Sequence, residues 1–259
     1  MIEEDIVVNK EKFVNHFDLS PKIVQAMGLC PTWHTTQKLK EFKLGDEVAN
    51  DSFHYIERVF CQSEIDILIT ELTNHKWLAV GNDGFANKPF DQVGNYRLSN
   101  YNPELADRIW MRIGHIFTER EMDAFSQTDH DNHDTWRPIG ISPLFRFIKY
   151  DQDGELIAHY DAPFIQSSTR RSLMSLVIYL TDNESGGTRF IKDPQRMIPV
   201  YQRDLSDWDR VARPSEVLAT VWPFAGSAIA FDHRMLHDSE PLKSGEKIII
   251  RTDIMFERN

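Results

Sequence analysis

Two hydrophobic patterns divide the chain. In its second half, apolar residues come in runs of strand length: residues 172–180 are almost continuously apolar, 217–222 and 226–231 follow, and 248–256 close the series. In the first half the clearer signals are helical. Over residues 63–72, Ile65, Leu68, Ile69 and Leu72 share one face behind Ser63 as the expected N-cap. A second helix is expected from Asn102-Pro103-Glu104, with Pro at its first position, to about Phe117; its Leu105, Ile109, Trp110, Ile113, Ile116 and Phe117 are spaced to lie on a sheet. Weaker patterns predict a short helix over 21–28, ended by Gly28, and a strand over 53–60.

These elements predict a mainly β, α+β fold: a two-sheet barrel of the jelly-roll type, buttressed by the N-terminal helices. A length of 259 residues and a hydrophobic content of 41% suffice for one globular domain, 1–259. Within it, 1–140 is expected to be the helical and strand support and 141–259 the barrel core.

Charge narrows the partners. With 29 Lys+Arg against 40 Asp+Glu the formal net charge is -11, and such a surface repels phosphate backbones and anionic membranes. No apolar run reaches the length of a membrane span, and the acidic start Met1-Ile-Glu-Glu-Asp5 does not read as a signal peptide, so a cytoplasmic protein is expected. The two cysteines, Cys30 and Cys61, lack a Cys-x-x-Cys spacing and read as reduced thiols rather than a disulfide framework.

The chemistry concentrates in three residues. In Ile157-Ala-His159-Tyr160-Asp161 the residues at i and i+2 of an extended segment point to one side, so His159 and Asp161 can grip one ion while Tyr160 points away. His237, at the end of the segment that follows strand 226–231, supplies a third ligand from a distant strand. Two imidazoles and one carboxylate on one face of a metal leave the opposite positions open, which suits a mononuclear non-haem Fe(II) oxygenase. A His-x-Asp pair alone is commonplace on solvated loops; its neighbours carry the argument.

Alternation along the last strand puts Lys247, Ile249 and Arg251 on one face and Ile248, Ile250, Thr252 and Ile254 on the other. Two cations on an otherwise apolar strand call for an anion, because a buried unpaired cation is expensive. The anion is either a ligand or an internal acid such as Asp253 or Glu240.

At this point the chain resembles the prolyl-4-hydroxylase-like branch of the Fe(II)/2-oxoglutarate dioxygenases. The resemblance rests on the order of the pieces from Arg146 to Phe256: Tyr150 before the Gly154 turn, His159-x-Asp161, Gly186-Gly187-Thr-Arg-Phe190, His237, Pro241, then Gly245-Glu-Lys247. It implies a double-stranded β-helix (jelly roll, cupin-like) core, iron held by His159, Asp161 and His237, and 2-oxoglutarate as cosubstrate with O2, ascorbate serving as reductant. It also implies that a basic residue soon after the distal His pairs with the far carboxylate of 2-oxoglutarate. Lys247 occupies that place, Arg251 rivals it because a guanidinium matches a carboxylate bidentately, and Tyr150 would offer its hydroxyl to the same group. His233, four residues before His237, is a rival ligand by position, but the downstream Pro-x-x-x-Gly-x-Lys pattern selects His237 and leaves His233 as a wall of the site.

The carboxylate in His-x-Asp argues for hydroxylation, since related halogenases replace it with a small residue. The expected reaction is hydroxylation of an unactivated C–H bond with release of succinate and CO2; desaturation or ring closure would use the same triad. No peptide-binding repeat is visible, which favours a small amino-acid-like or carboxylate-bearing substrate. Arg146, Arg97 and Arg189 are its candidate contacts, Arg97 from a loop expected over 80–100. The rival readings are a peptidyl-prolyl hydroxylase and a non-catalytic cupin-like binding module. The polar run 126–134, with His130 and His133, resembles a metal cluster but reads better as a solvated loop.

Overall fold

The computed structural model describes residues 17–26, 53–79, 94–122, 134–195, 198, 202–204 and 206–258. Residues 80–93 of the expected loop, 126–133 of the polar run and the glycine end of the first helix lie outside the described residues. In chain order the first elements are α1 (Pro21–Ala26), β1 (Phe53–Ile56), α2 (Gln62–Thr73), β2 (Leu78–Ala79), β3 (Asn95–Tyr101) and α3 (Pro103–Ile113). Strands β4 (Arg120–Met122), β5 (Asp134–Ile141), β6 (Leu144–Tyr150), β7 (Leu156–His159), β8 (Ile165–Ser167), β9 (Arg170–Tyr179) and β10 (Thr188–Ile191) follow. The chain closes with β11 (Val217–Val221), β12 (Ala228–Asp232), β13 (His237–Ser239) and β14 (Lys247–Arg258).

Among the described residues the strands form two antiparallel sheets, the arrangement of a double-stranded β-helix. The larger runs β1-β12-β9-β14-β6-β3-β2, with β5 on the far end of β14, β4 beside β5 and β8 beside β9. The smaller runs β11-β10-β13-β7. Strands from before residue 141 enter the larger sheet: β1 pairs with β12, β3 with β6 and β5 with β14.

Alternation along the strands explains the layers. Leu98, Phe145, Phe147, Leu176, Ile178, Ile248, Ile250 and Ile254 point out of the larger sheet and pack with Ile65, Leu68, Leu72, Leu105, Ile109 and Ile113 of α2 and α3. Their alternates, among them Ile148, Tyr150, Val177, Tyr179, Ile229, Phe231 and Ile249, turn inward and meet Phe190 and Val221 of the smaller sheet. The inner layer is where polar residues interrupt the apolar pattern, and the site forms there.

The helix caps refine the sequence reading. The cap of helix α2 lies two residues earlier than expected, at Cys61 and not Ser63, because the Glu64 carboxylate accepts the Cys61 backbone N–H at 2.9 Å. Helix α3 starts as expected with Pro103 at its first position and is capped by Asn102, whose side chain accepts from Leu105 N at 2.9 Å. It ends at Ile113 rather than near Phe117: a 3-10 turn covers Gly114–Ile116, and Trp110 packs so close to Gly114 that a Cβ there would lie 2.7 Å from the indole.

Glu64 ties the two helices together. Arg112 on α3 donates to it at 2.5 Å and to the Val59 carbonyl at 3.0 Å, with the Glu64 side chain 2% and the Arg112 side chain 10% exposed. Glu64→Ala leaves the guanidinium buried without its acid and is expected to cost about 3–5 kcal/mol, read as a lowered midpoint of chemical denaturation with an unchanged slope.

Candidate active site

Strands β7 and β13 are neighbours in the smaller sheet, and their register sets His237 directly opposite His159. The two rings lie 4.3 Å apart, centroid to centroid. Each imidazole is oriented the same way: His159 Nδ1 lies 2.8 Å from the Ile157 carbonyl and His237 Nδ1 lies 2.9 Å from the Met235 carbonyl. A carbonyl accepts only, so Nδ1 carries the proton in both rings and the Nε2 lone pairs are free to bind. Both Nε2 atoms face Asp161, at 3.8 Å from Oδ1 for His159 and 3.7 Å from Oδ2 for His237. Ligand atoms of the three residues all fall within 4.8 Å of one another, and among the described residues no other group of metal-binding side chains comes together in this way.

The electrostatics keep these donors in their binding forms. Burial, and then His159, bring His237 down to about 3, so it is neutral at physiological pH. Burial alone would raise Asp161; Arg251 first, then His237 and His159, hold it well below the usual carboxylate range. Two imidazoles presenting Nε2 and an ionised carboxylate fit a divalent transition metal.

Asp161 is held from behind. The Ser175 hydroxyl donates to Asp161 Oδ2, and Arg251 Nη2 sits 3.2 Å from Oδ1. His233 is buried next to them, 3.0 Å through Nδ1 from Ser175 Oγ and 2.8 Å through Nε2 from Ser172 Oγ. Its backbone carbonyl accepts the Asp161 N–H at 3.1 Å, so His233 walls and braces the site without joining the ligand cluster. Asp253, also buried, lies 3.1 Å from Arg251 Nη2, realising the internal-acid alternative for that cation. On the outer side, Tyr160 turns away as expected: its hydroxyl donates to Asp193 at 2.8 Å, and Arg203 lies 4.6 Å from its ring centre while bonding the same acid at 3.1 Å.

Lys247 sits further along the inner face of β14. Its Nζ donates to the Ser239 hydroxyl and, at 2.7 Å, to the Gly186 carbonyl, and it lies 3.9 Å from the Tyr150 ring centre. Gly186 turns with φ +71, a left-handed conformation that glycine adopts without strain, and this aims its carbonyl at the ammonium. No carboxylate lies within salt-bridge reach of Lys247 among the described residues, and burial lowers it to about 7 against weak upward pulls from Glu240 and Asp238. Tyr150 is pushed up by burial, and its hydroxyl meets the Asn95 side chain and the field of Arg97.

Of the three expected substrate arginines, two share this chamber. Arg146 is the register partner of Arg251, and Arg97 that of Ile148, so both belong to the inward row of the larger sheet. Arg189 does not join them, and its expected substrate role is corrected: Phe190 turns inward, so Arg189 turns to the opposite face of the smaller sheet. There it makes a bidentate pair with Asp238 at 2.8 and 2.7 Å. Ser175 went unread in the sequence although it left a trace, being a polar residue inside the apolar run 172–180.

A facial triad between the sheets of a double-stranded β-helix defines a mononuclear metal oxygenase site. Residues 145–252, which hold all three ligands, match the 2OG-Fe(II) oxygenase superfamily. Solved structures resemble the chain distantly. A viral collagen prolyl hydroxylase from Paramecium bursaria Chlorella virus-1, in complex with 2OG, shares 17% identity over 80% of this chain and 96% of its own, with a TM-score of 0.43. A prolyl-4-hydroxylase from Pseudomonas putida shares 13% over 83% and 96%, with a TM-score of 0.47. HygX from Streptomyces hygroscopicus, with nickel and 2-oxoglutarate bound, shares 13% over 80% and 83%, also at 0.47. Likeness at this level says nothing of substrate. Among curated proteins no sequence matches the chain, and among the described residues no helix is long and apolar enough to cross a membrane.

The Ser175 hydroxyl orients Asp161 without touching the metal position. Ser175→Ala is expected to weaken Fe(II) binding about 10–100-fold while the fold survives, measured by anaerobic metal titration beside the circular dichroism spectrum.

Proposed function

We propose that the protein hydroxylates an unactivated C–H bond of a small amino-acid-like or carboxylate-bearing molecule. The observation that carries this reading is the pairing of a complete metal triad with a row of inward-facing cations. On the inner face of the larger sheet, Lys247 and Arg251 on β14, Arg146 on β6 and Arg97 on β3 lie on three neighbouring strands, across from the smaller sheet that carries His159 and His237. His159, Asp161 and His237 would hold the iron. When bound, iron and 2-oxoglutarate supply the oxidising power, one atom of O2 entering succinate as CO2 is lost and the other entering the substrate C–H bond.

The chain's own residues bind, orient and exclude water. Lys247, already set by Ser239 and Gly186, keeps one N–H for the far carboxylate of the cosubstrate, and the Tyr150 hydroxyl stands beside it as a second donor. Arg251, held between Asp161 and Asp253, lies at the metal end of the same strand. Arg251 therefore suits the near end of the cosubstrate and Lys247 the far end. Ile249 and Tyr179 between them provide a dry floor.

Two measurements test this. Anaerobic titration with Fe(II) and 2-oxoglutarate is expected to give a metal-to-ligand charge-transfer band in the wild type and none in His159→Ala; a folded, metal-loaded wild type without the band would sink the reading. The second is pH dependence. Lys247 is depressed to about 7, so its ammonium form predominates below that pH and is lost above it. Affinity for 2-oxoglutarate should accordingly fall by roughly tenfold or more between about pH 6.5 and pH 8.5, and Lys247→Gln should bind weakly with a flat profile.

A further inference from the structure

Arg146 is the charged group of the chamber that the oxygenase chemistry leaves without work. It faces inward from β6, partly buried, opposite Arg251. Among the described residues no hydrogen bond or ion pair reaches its guanidinium, although Arg251 has two acids within 3.2 Å. Instead it feels like charges: burial and then Arg251, with Arg97 adding to them, bring it down to about 10 against the opposing pull of Asp253 and Asp161. An arginine held in a dry chamber beside two other guanidiniums, with none of its donors matched, is costly unless an anion joins it.

The geometry identifies the anion. Arg146 shares the inward face with Arg251, whose two acids, Asp161 and Asp253, are already engaged by that neighbour. A carboxylate fits the guanidinium fork with two parallel hydrogen bonds.

From this we infer that Arg146 is the substrate-specificity residue: its fork takes the free carboxylate of a short carboxylic acid and, with Arg97 beside it, holds the carbon to be oxidised against the metal triad. The inference rests on the oxygenase reading above and deepens it. Register sets the scale. Arg146 and Arg251 are opposite one another on neighbouring strands, and Arg251 is 3.2 Å from a metal ligand. An anion on Arg146 thus stands about 5 Å, one strand spacing, further from the triad, which places the target carbon roughly three to five bonds from the carboxylate. The backbone of an internal peptide segment offers this fork no carboxylate.

The test uses butyrate as probe and butyramide as its uncharged shape, each titrated anaerobically by saturation-transfer NMR into protein already saturated with Zn(II) and 2-oxoglutarate. Saturable butyrate binding to the wild type is expected, with at least tenfold weaker binding in Arg146→Gln and in Arg146→Lys, which keeps the charge but loses the fork. Butyramide should not bind. Both variants should keep the wild-type melting temperature within a few degrees and, with Fe(II), the charge-transfer band. Equal butyrate binding in wild type and a folded variant, equal binding of butyramide, or no butyrate binding to the wild type would overturn the assignment. Loss of the band in the variants alone would overturn it too, by making Arg146 a cosubstrate residue. Absence of the band from the wild type would instead strike the oxygenase reading itself, and the inference with it.

Discussion

Everything in this site depends on the Asp161 carboxylate being held ionised and still inside a dry chamber. Its two imidazole neighbours come from paired strands of one sheet, and the groups that restrain it, Ser175 and Arg251, come from paired strands of the other. The carboxylate thus joins the two sheets at the point where a metal would sit. Burial by itself would protonate it, and only the arginine and the imidazoles reverse that tendency. The site and the sandwich are therefore one construction: the sheets cannot separate without exposing the carboxylate, and the carboxylate cannot be lost without leaving Arg251 short of an acid.

Charge in the chamber is graded along the strands of the larger sheet. At the Lys247 end the cation is coordinated by neutral groups, a carbonyl, a hydroxyl and an aromatic face, and burial makes it weakly basic. At the Arg251 end the cation is neutralised by two carboxylates and stays fully ionised. One strand over, Arg146 has neither arrangement. Four residues apart on β14, a lysine would release its proton where an arginine keeps it, so the choice of side chain at each position sets which anion is bound permanently and which is exchanged.

Much of the fold was legible because the relevant patterns are local. The runs at 172–180, 217–222, 226–231 and 248–256 all became strands of nearly the same extent, and the alternation of Lys247, Ile249 and Arg251 against Ile248, Ile250 and Ile254 is the alternation of inner and outer layers. Helix ends were less legible, since Glu64 reached back to cap Cys61 and Trp110 covered Gly114 through contacts that spacing does not reveal. The site was legible in its ligands and opaque in its supports. Ser175 lies inside an apolar run, and its role exists only because β9 brings it beneath Asp161.

Arg189 and Arg146 show where sequence stops. Both are arginines on strands near the motif, and alternation places only Arg146 on the face of Ile148 and Tyr150. Arg189 belongs to the row whose neighbour Phe190 faces inward, so it turns out of the barrel to Asp238; Arg146 belongs to the inward row and finds Arg251 opposite. By itself the sequence determined the strand and helix segments, the three ligand residues and the cations that accompany them, because period and spacing are properties of the chain. The tertiary structure alone decided which imidazole nitrogens face the metal position, which acids neutralise Arg251 and which arginine is left over, because those depend on register between strands far apart in the chain.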